Sequence, residues 1–130
     1  MITDRVGDFI IRLKNAGAIG NQVVTVPHSK HLEAIATKLK ELGFVESVGM
    51  SKKDARVMEV TLSYDAKGNH KIHDVKRLSK PGRRLYVGSQ DAHTVKNGQG
   101  ARILSTPKGI LSDAEARKVR AGGETLFEIW

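Results

Sequence analysis

Apolar residues recur in two rhythms along the chain, and the change from one to the other sketches the fold. From Thr3 to Ala16 the rhythm is helical. Val6, Phe9, Ile10 and Leu13 fall at i, i+3, i+4 and i+7, with Thr3 placed to cap the first turn and Gly17 and Gly20 to stop the last. Ile11 lies off that stripe, and Arg5, Asp8, Arg12 and Asn15 fall on another face, where solvated charge is the simplest reading. Val23 to Val26 is a short, continuously apolar strand closed by Pro27. Ser29 then caps a second helix whose core stripe is Leu32, Ile35, Leu39 and Leu42; Lys30, Lys38 and Lys40 belong to its wetter side, and Gly43 ends it. From Phe44 the period drops to two. Phe44 to Met50 and Arg56 to Tyr64 read as a hairpin around Lys52-Lys53-Asp54, with Met58, Val60, Leu62 and Tyr64 on one face.

The second half is patterned differently. Residues 65–71 have no apolar period and contain Gly68-Asn69, so they are read as a linker between lobes 1–64 and 72–130. Strands are predicted at Ile72 to Leu78 and Leu85 to Val87, joined through the Pro81-Gly82 turn. A short helix is placed at Ser89 to Lys96 and ended by Asn97-Gly98-Gln99-Gly100. Ala101 to Leu104 is a buried strand, and Ser105-Thr106-Pro107-Lys108-Gly109 a short rigid loop. A helix then starts at Ser112, where Ser112 and Glu115 form a capping box. Gly122-Gly123 breaks it, and Glu124 to Trp130 forms the last strand. The predicted class is α+β in two small lobes. The N-terminal lobe is α/β, with two helices on a short sheet; the C-terminal lobe is mostly β with one or two short helices.

Composition narrows the partners. Twenty-two Lys and Arg against 14 Asp and Glu leave a formal net charge of +8 over 130 residues, which points to a polyanion: nucleic acid first, an anionic membrane second. No apolar run approaches a membrane span, and Met1-Ile2-Thr3-Asp4 runs straight into a helix pattern, so no signal peptide is expected. The absence of cysteine removes disulfides, thiol catalysis and cysteine-ligated zinc, and fits a reducing cytoplasm.

Catalytic patterns are missing. His28 with His31, and His70 with His73, have i, i+3 spacing but no obvious third ligand, so exposed histidines explain them better than a metal site. Gly98-Gln99-Gly100 precedes a strand instead of following one, which excludes a dinucleotide fingerprint. No enzyme, cofactor, metal or small-molecule substrate is expected.

RNA chemistry is better supplied. Ser105 and Thr106 offer hydroxyls that both donate and accept, as ribose 2′-hydroxyls do; Lys108 suits a phosphate, and Gly109 allows close backbone approach. The bland alternative is a turn that happens to be polar. Lys80, Arg83 and Arg84 form a cation cluster. Tyr86 stands two residues beyond Arg84, either as a ring stacking on a base or ribose or as a core residue with its hydroxyl tied to the backbone. Glu124 either accepts from a base amino group or ribose hydroxyl, or only orients the neighbouring basic and hydroxyl groups.

These segments together resemble a known family. Ser79-Lys80-Pro81-Gly82-Arg83-Arg84-Leu85-Tyr86-Val87-Gly88, Ser105 to Ile110, and Gly122-Gly123-Glu124 with terminal Trp130 are similar to the bacterial small-subunit ribosomal protein eight family. Thr3-Asp4, Arg12 to Ala16 and Pro27 to Lys30 resemble its opening, so the likeness covers essentially the whole chain in order and spacing. The resemblance implies a cytoplasmic ribosomal constituent that binds small-subunit rRNA early in assembly, gripping an irregular helix of the central domain through the C-terminal lobe. By position it implies RNA contact at Ser105, Thr106, Lys108 and Gly109, with Tyr86 and Glu124 facing or supporting the same site, and Arg12, Asn15 and Lys30 touching further rRNA. It also implies small-subunit protein five as a neighbour, and some members repress their own operon's messenger. Two departures stand out: Pro107 replaces the usual Ser, removing a hydroxyl and an N–H, and Ala92, His93, Lys96 and Gln99 replace a more apolar segment. The rivals from other classes are a free-standing regulator that binds messenger RNA or DNA, such as a translational repressor, and a protein-interaction module whose charge serves only solubility.

Overall fold

A computed structural model describes residues 4–51, 56–79, 83–88 and 100–130. The chain divides into two compact units, Asp8–His73 and a second that joins Met1–Gly7 to Asp74–Trp130. Among the described residues the class is α+β, with one three-stranded and one five-stranded antiparallel sheet. The predicted helix Ser89 to Lys96, the turn residues Lys52 to Asp54, and Lys80 lie outside the described residues.

Helix α1 (Arg5–Ala18) buries Val6, Phe9, Ile10 and Leu13, the stripe its period predicts, and leaves Ile11 exposed. Its first turn is capped by Asp4, whose Oδ1 accepts from the Gly7 N–H at 3.0 Å. The cap thus falls one residue later than the expected Thr3, which is outside the described residues. In the Asp8–His73 unit, strand β1 (Val23–Pro27) precedes helix α2 (Lys30–Leu42), and strands β2 (Val45–Met50) and β3 (Val57–Leu62) complete a sheet ordered β1-β3-β2. Both predicted ends of α2 are in place: the Ser29 side chain accepts from Leu32 N–H, and Gly43 takes the left-handed turn at φ 89°.

Two positions on α2 depart from expectation. Lys38 is buried rather than wet, because its methylene stem can lie along the apolar face while Nζ reaches Glu41 at 2.6 Å. Leu42 is exposed rather than core, being the last helical residue before the chain turns at Gly43. On β3, Met58, Val60 and Leu62 are buried as their alternation requires. Residues 65–71 close a tight turn in which Asp65 Oδ1 accepts from the N–H groups of Lys67 and Asn69, both at 2.9 Å, and Tyr64 bridges His70.

The other unit is built on β8 (Gly123–Ile129). One edge of β8 pairs with β6 (Ala101–Thr106), which in turn pairs with β7 (Gly109–Ser112). The opposite edge is shared by two short strands, β4 (Val75–Arg77) and β5 (Tyr86–Val87). The strand expected from Ile72 to Leu78 is therefore shorter, although Leu78 and Ser79 continue its ladder by donating to Leu126 O and Thr125 O, each at 3.1 Å. Helix α3 (Asp113–Val119) carries the predicted capping box and lies against β6 and β7. Leu104 and Ala116 form a fully buried cluster with Val87 packed on it, so α3 and β5 meet over one face of the sheet.

The start of β8 has to be glycine on both counts. A Cβ on Gly122 would stand 2.6 Å from Val87 O, and one on Gly123 would stand 2.1 Å from Ser105 O. Both obstacles are paired backbone and cannot rotate away. Gly123→Ala should therefore lower stability by about 1–3 kcal/mol, the scale of forced overpacking. Gly49→Ala, where a Cβ meets nothing within 4 Å, should stay within about 0.5 kcal/mol of the parent in the same urea titration.

Candidate nucleic-acid interface

Register brings three of the singled-out residues into one row. Tyr86 is the direct partner of Glu124, Glu124 of Ser105, and Ser105 of Ile110, so the four side chains stand side by side on one face across β5, β8, β6 and β7. It is the face opposite Leu104 and Thr125, which are buried. Tyr86 is 69% exposed, which decides between its two readings: the ring is a surface platform and not a core residue. No hydrogen bond within the protein engages the Ser105 hydroxyl among the described residues.

Glu124 is the electrostatic pivot of that row. Its Oε2 accepts from the Ser79 hydroxyl and from Arg84 Nη1, the latter at 3.0 Å, while Oε1 has no partner among the described residues. Burial alone would raise the carboxyl. Donation by Ser79 and Arg84, together with the positive charge of Arg84 and Arg77, outweighs it and holds Glu124 below its ordinary 4.5. It is therefore ionised at neutral pH and an acceptor only. Ser79, itself buried, also accepts from Leu85 N–H at 3.2 Å, so one hydroxyl fixes both the carboxylate and the entry to β5. Behind it, Arg77 binds Asp4 through Nε at 3.1 Å and through Nη2 at 3.2 Å. Burial would raise the Asp4 carboxyl too, but Arg77 and the Gly7 N–H prevail and keep it below 3.8.

The hydroxyl loop is shaped differently from its sequence reading. Ser105 and Thr106 end β6, Gly109 begins β7, and only Pro107-Lys108 form the turn between them. A continuous antiparallel ladder, Ser105 opposite Ile110 and Thr106 opposite Gly109, replaces the expected loop. The Thr106 hydroxyl is not simply presented outward: it donates to Gly109 O at 2.8 Å and accepts from Lys108 N–H at 3.1 Å. Thr106 is thus the lock of the turn. Gly109 sits at φ 114°, a conformation that a side chain would strain. Lys108 Nζ donates to Val119 O at 3.2 Å, fastening the turn to the end of α3.

The remaining candidates are spread out. Arg83 and Arg84 are exposed just before β5. Arg12, Asn15 and Lys30 belong to the Asp8–His73 unit; all three are exposed, and Arg12 Nη1 donates to Thr25 O at 3.1 Å. Ser79 and Arg77 are the residues the sequence reading missed. Their partners Glu124 and Asp4 are 45 and 73 positions away, a distance at which no local spacing gives a signal.

The comparisons with known proteins agree with one another. The profile described as ribosomal protein S8 matches residues 4–130. The chain belongs to the ribosomal protein S8 family. It is 44% identical to the small ribosomal subunit protein uS8 of Nitratidesulfovibrio vulgaris and 40% identical to that of Nautilia profundicola, in each case over the full length of both chains. The protein of the same name from Persephonella marina is also 44% identical over the full length of both. Membership places the chain among the RNA-binding proteins of the small ribosomal subunit, and so in translation.

A depressed carboxyl stabilises the fold above its unfolded value and stops doing so as pH falls through its lower folded value. Glu124→Gln copies the protonated shape without the charge. The urea midpoint of the variant should fall below that of the parent at pH 7, and the gap should shrink as the pH drops below 4.5. A gap unchanged at pH 3 would mean that the charge on Glu124 contributes nothing.

Proposed function

We propose that this protein is a primary rRNA-binding constituent of the small subunit that grips an irregular helix of the rRNA central domain and helps the subunit assemble, with no catalytic role. The observation that carries this reading is the row Tyr86–Glu124–Ser105, displayed on one sheet face in a chain of the ribosomal protein S8 family. Each member has a distinct task. The exposed Tyr86 ring stacks on a base or ribose. The Ser105 hydroxyl, which has no hydrogen-bond partner among the described residues, exchanges hydrogen bonds with a ribose 2′-hydroxyl. Glu124 Oε1 accepts from a base amino group or ribose hydroxyl, and Arg84 on Oε2 offsets its charge so that the carboxylate does not repel the RNA backbone.

Thr106 and Gly109 act by holding the turn, so that Ser105 and Lys108 are placed before RNA arrives. Lys80, Arg83 and Arg84 supply sequence-independent attraction to phosphates. Arg12, Asn15 and Lys30 contact other rRNA segments from the Asp8–His73 unit. The partners follow: small-subunit rRNA, neighbouring subunit proteins including small-subunit protein five, and the protein's own operon messenger where it mimics the rRNA helix. The site of action is the ribosome in the cytoplasm.

Co-sedimentation with small subunits through a high-salt wash tests the reading as a whole; release into the supernatant would favour a peripheral adaptor or a free-standing repressor. At residue level, Ser105→Ala should weaken binding to a central-domain rRNA transcript by about 1–3 kcal/mol, the cost of leaving a buried polar partner unpaired. Binding to random duplex RNA should hardly change. Equal losses on both RNAs would remove Ser105 from shape recognition.

A further inference from the structure

The far side of the β6–β7 turn carries a second group of cations. Lys108 reaches from the turn to the carbonyl of Val119, the last residue of α3, and that residue lies between Lys118 and Arg120. Lys118 and Arg120 are both exposed, and neither side chain has a hydrogen-bond or ion-pair partner among the described residues. The acids of α3, Asp113 and Glu115, are at the opposite end. Asp113 is occupied by Arg117 and by the Arg102 N–H, and Glu115 by the capping box. Lys108 therefore meets the end of α3 at a residue flanked by two exposed cations, and no carboxylate pairs with any of the three among the described residues.

Arg120 adds a second observation. It is the one non-glycine residue with positive φ among the described residues, at φ 56° and ψ 44°. Ala121 N–H closes the turn onto Ala116 O at 3.0 Å, in the pattern glycine usually completes. An arginine here carries a conformational cost that glycine would avoid. Favourable placement at the negative end of a helix is the ordinary explanation for such cations. It needs only a charge in the last turn, which Arg117 and Lys118 already supply, and not a strained residue beyond it.

We propose that Lys108, Lys118 and Arg120 form a phosphate-gripping edge that holds the RNA backbone flanking the stretch read by the sheet row. This rests on the RNA-binding reading above. Lys108 is the hinge of the arrangement, because its contact with Val119 O brings the turn and the helix end together before RNA binds. The ligand class is the RNA phosphodiester, recognised by charge and not by base.

The test is the salt dependence of binding for the full-length parent, Arg120→Gly and Lys118→Gln, on a central-domain rRNA transcript and on random duplex RNA. Each variant should lower the slope of log affinity against log salt by about 0.9 and weaken binding about eightfold at 0.1 M salt relative to 1 M. For Arg120→Gly the urea midpoint should stay level or rise while RNA affinity falls, a split that a purely structural role would not produce. Slopes equal to the parent's on both RNAs overturn the edge. If the parent fails to prefer the transcript but the variants still lower the slope on random duplex, the edge stands and the specific reading of the row falls.

Discussion

How closely two strands can approach the start of β8 is the constraint on which this unit depends. Gly122 admits the backbone of β5 on one side and Gly123 admits that of β6 on the other, at separations no side chain would permit. From that approach follow the pairings that place Tyr86, Glu124 and Ser105 abreast. The ladder also carries Val87 to the opposite face, where it packs on Leu104 and Ala116. The sequence of small residues is thus converted into a sheet with a packed side and a displayed side.

A displayed row of this kind must solve an electrostatic problem. An RNA-facing carboxylate repels phosphates unless it is offset, and it loses its acceptor role if it is protonated. The Ser79 hydroxyl and the Arg84 guanidinium answer both difficulties on a single oxygen, and the other has no partner among the described residues. The turn at Pro107-Lys108 is handled in the same economical way. One threonine hydroxyl closes it, and one lysine ties it to α3, so the turn and the residues beside it are ordered by internal bonds. Pre-ordering of this sort removes part of the entropy that binding would otherwise consume.

Much of the fold was legible because its signals are local. The period of Val6, Phe9, Ile10 and Leu13, the Ser29 and Ser112 caps, the Gly43 stop and the alternation in β3 each depend on residues within a few positions of one another. What escaped was long-range or ambivalent in character. The hydroxyl pair looked like a loop because Ser, Thr, Pro and Gly are turn formers, whereas pairing of Ser105 with Glu124 of β8 and of Thr106 with Gly109 of β7 extended β6 through both. Lys38 looked wet because charge dominates its residue type, yet its stem is apolar. A Glu124 that orients basic and hydroxyl groups was one of its two sequence readings, but its partners Ser79 and Arg84 could not be named, since only the sheet brings them to it.

Amide hydrogen exchange, followed with and without the central-domain transcript, addresses the central claim most directly. In the free protein the N–H groups of residues 103–105 and 124–127 should exchange only through global unfolding, because the row is built before RNA arrives. Adding the transcript should extend protection to the turn and to β5. Fast exchange at residues 124 and 105 in the free protein, slowing only when RNA is bound, would contradict a preformed row and show that the RNA itself assembles the site.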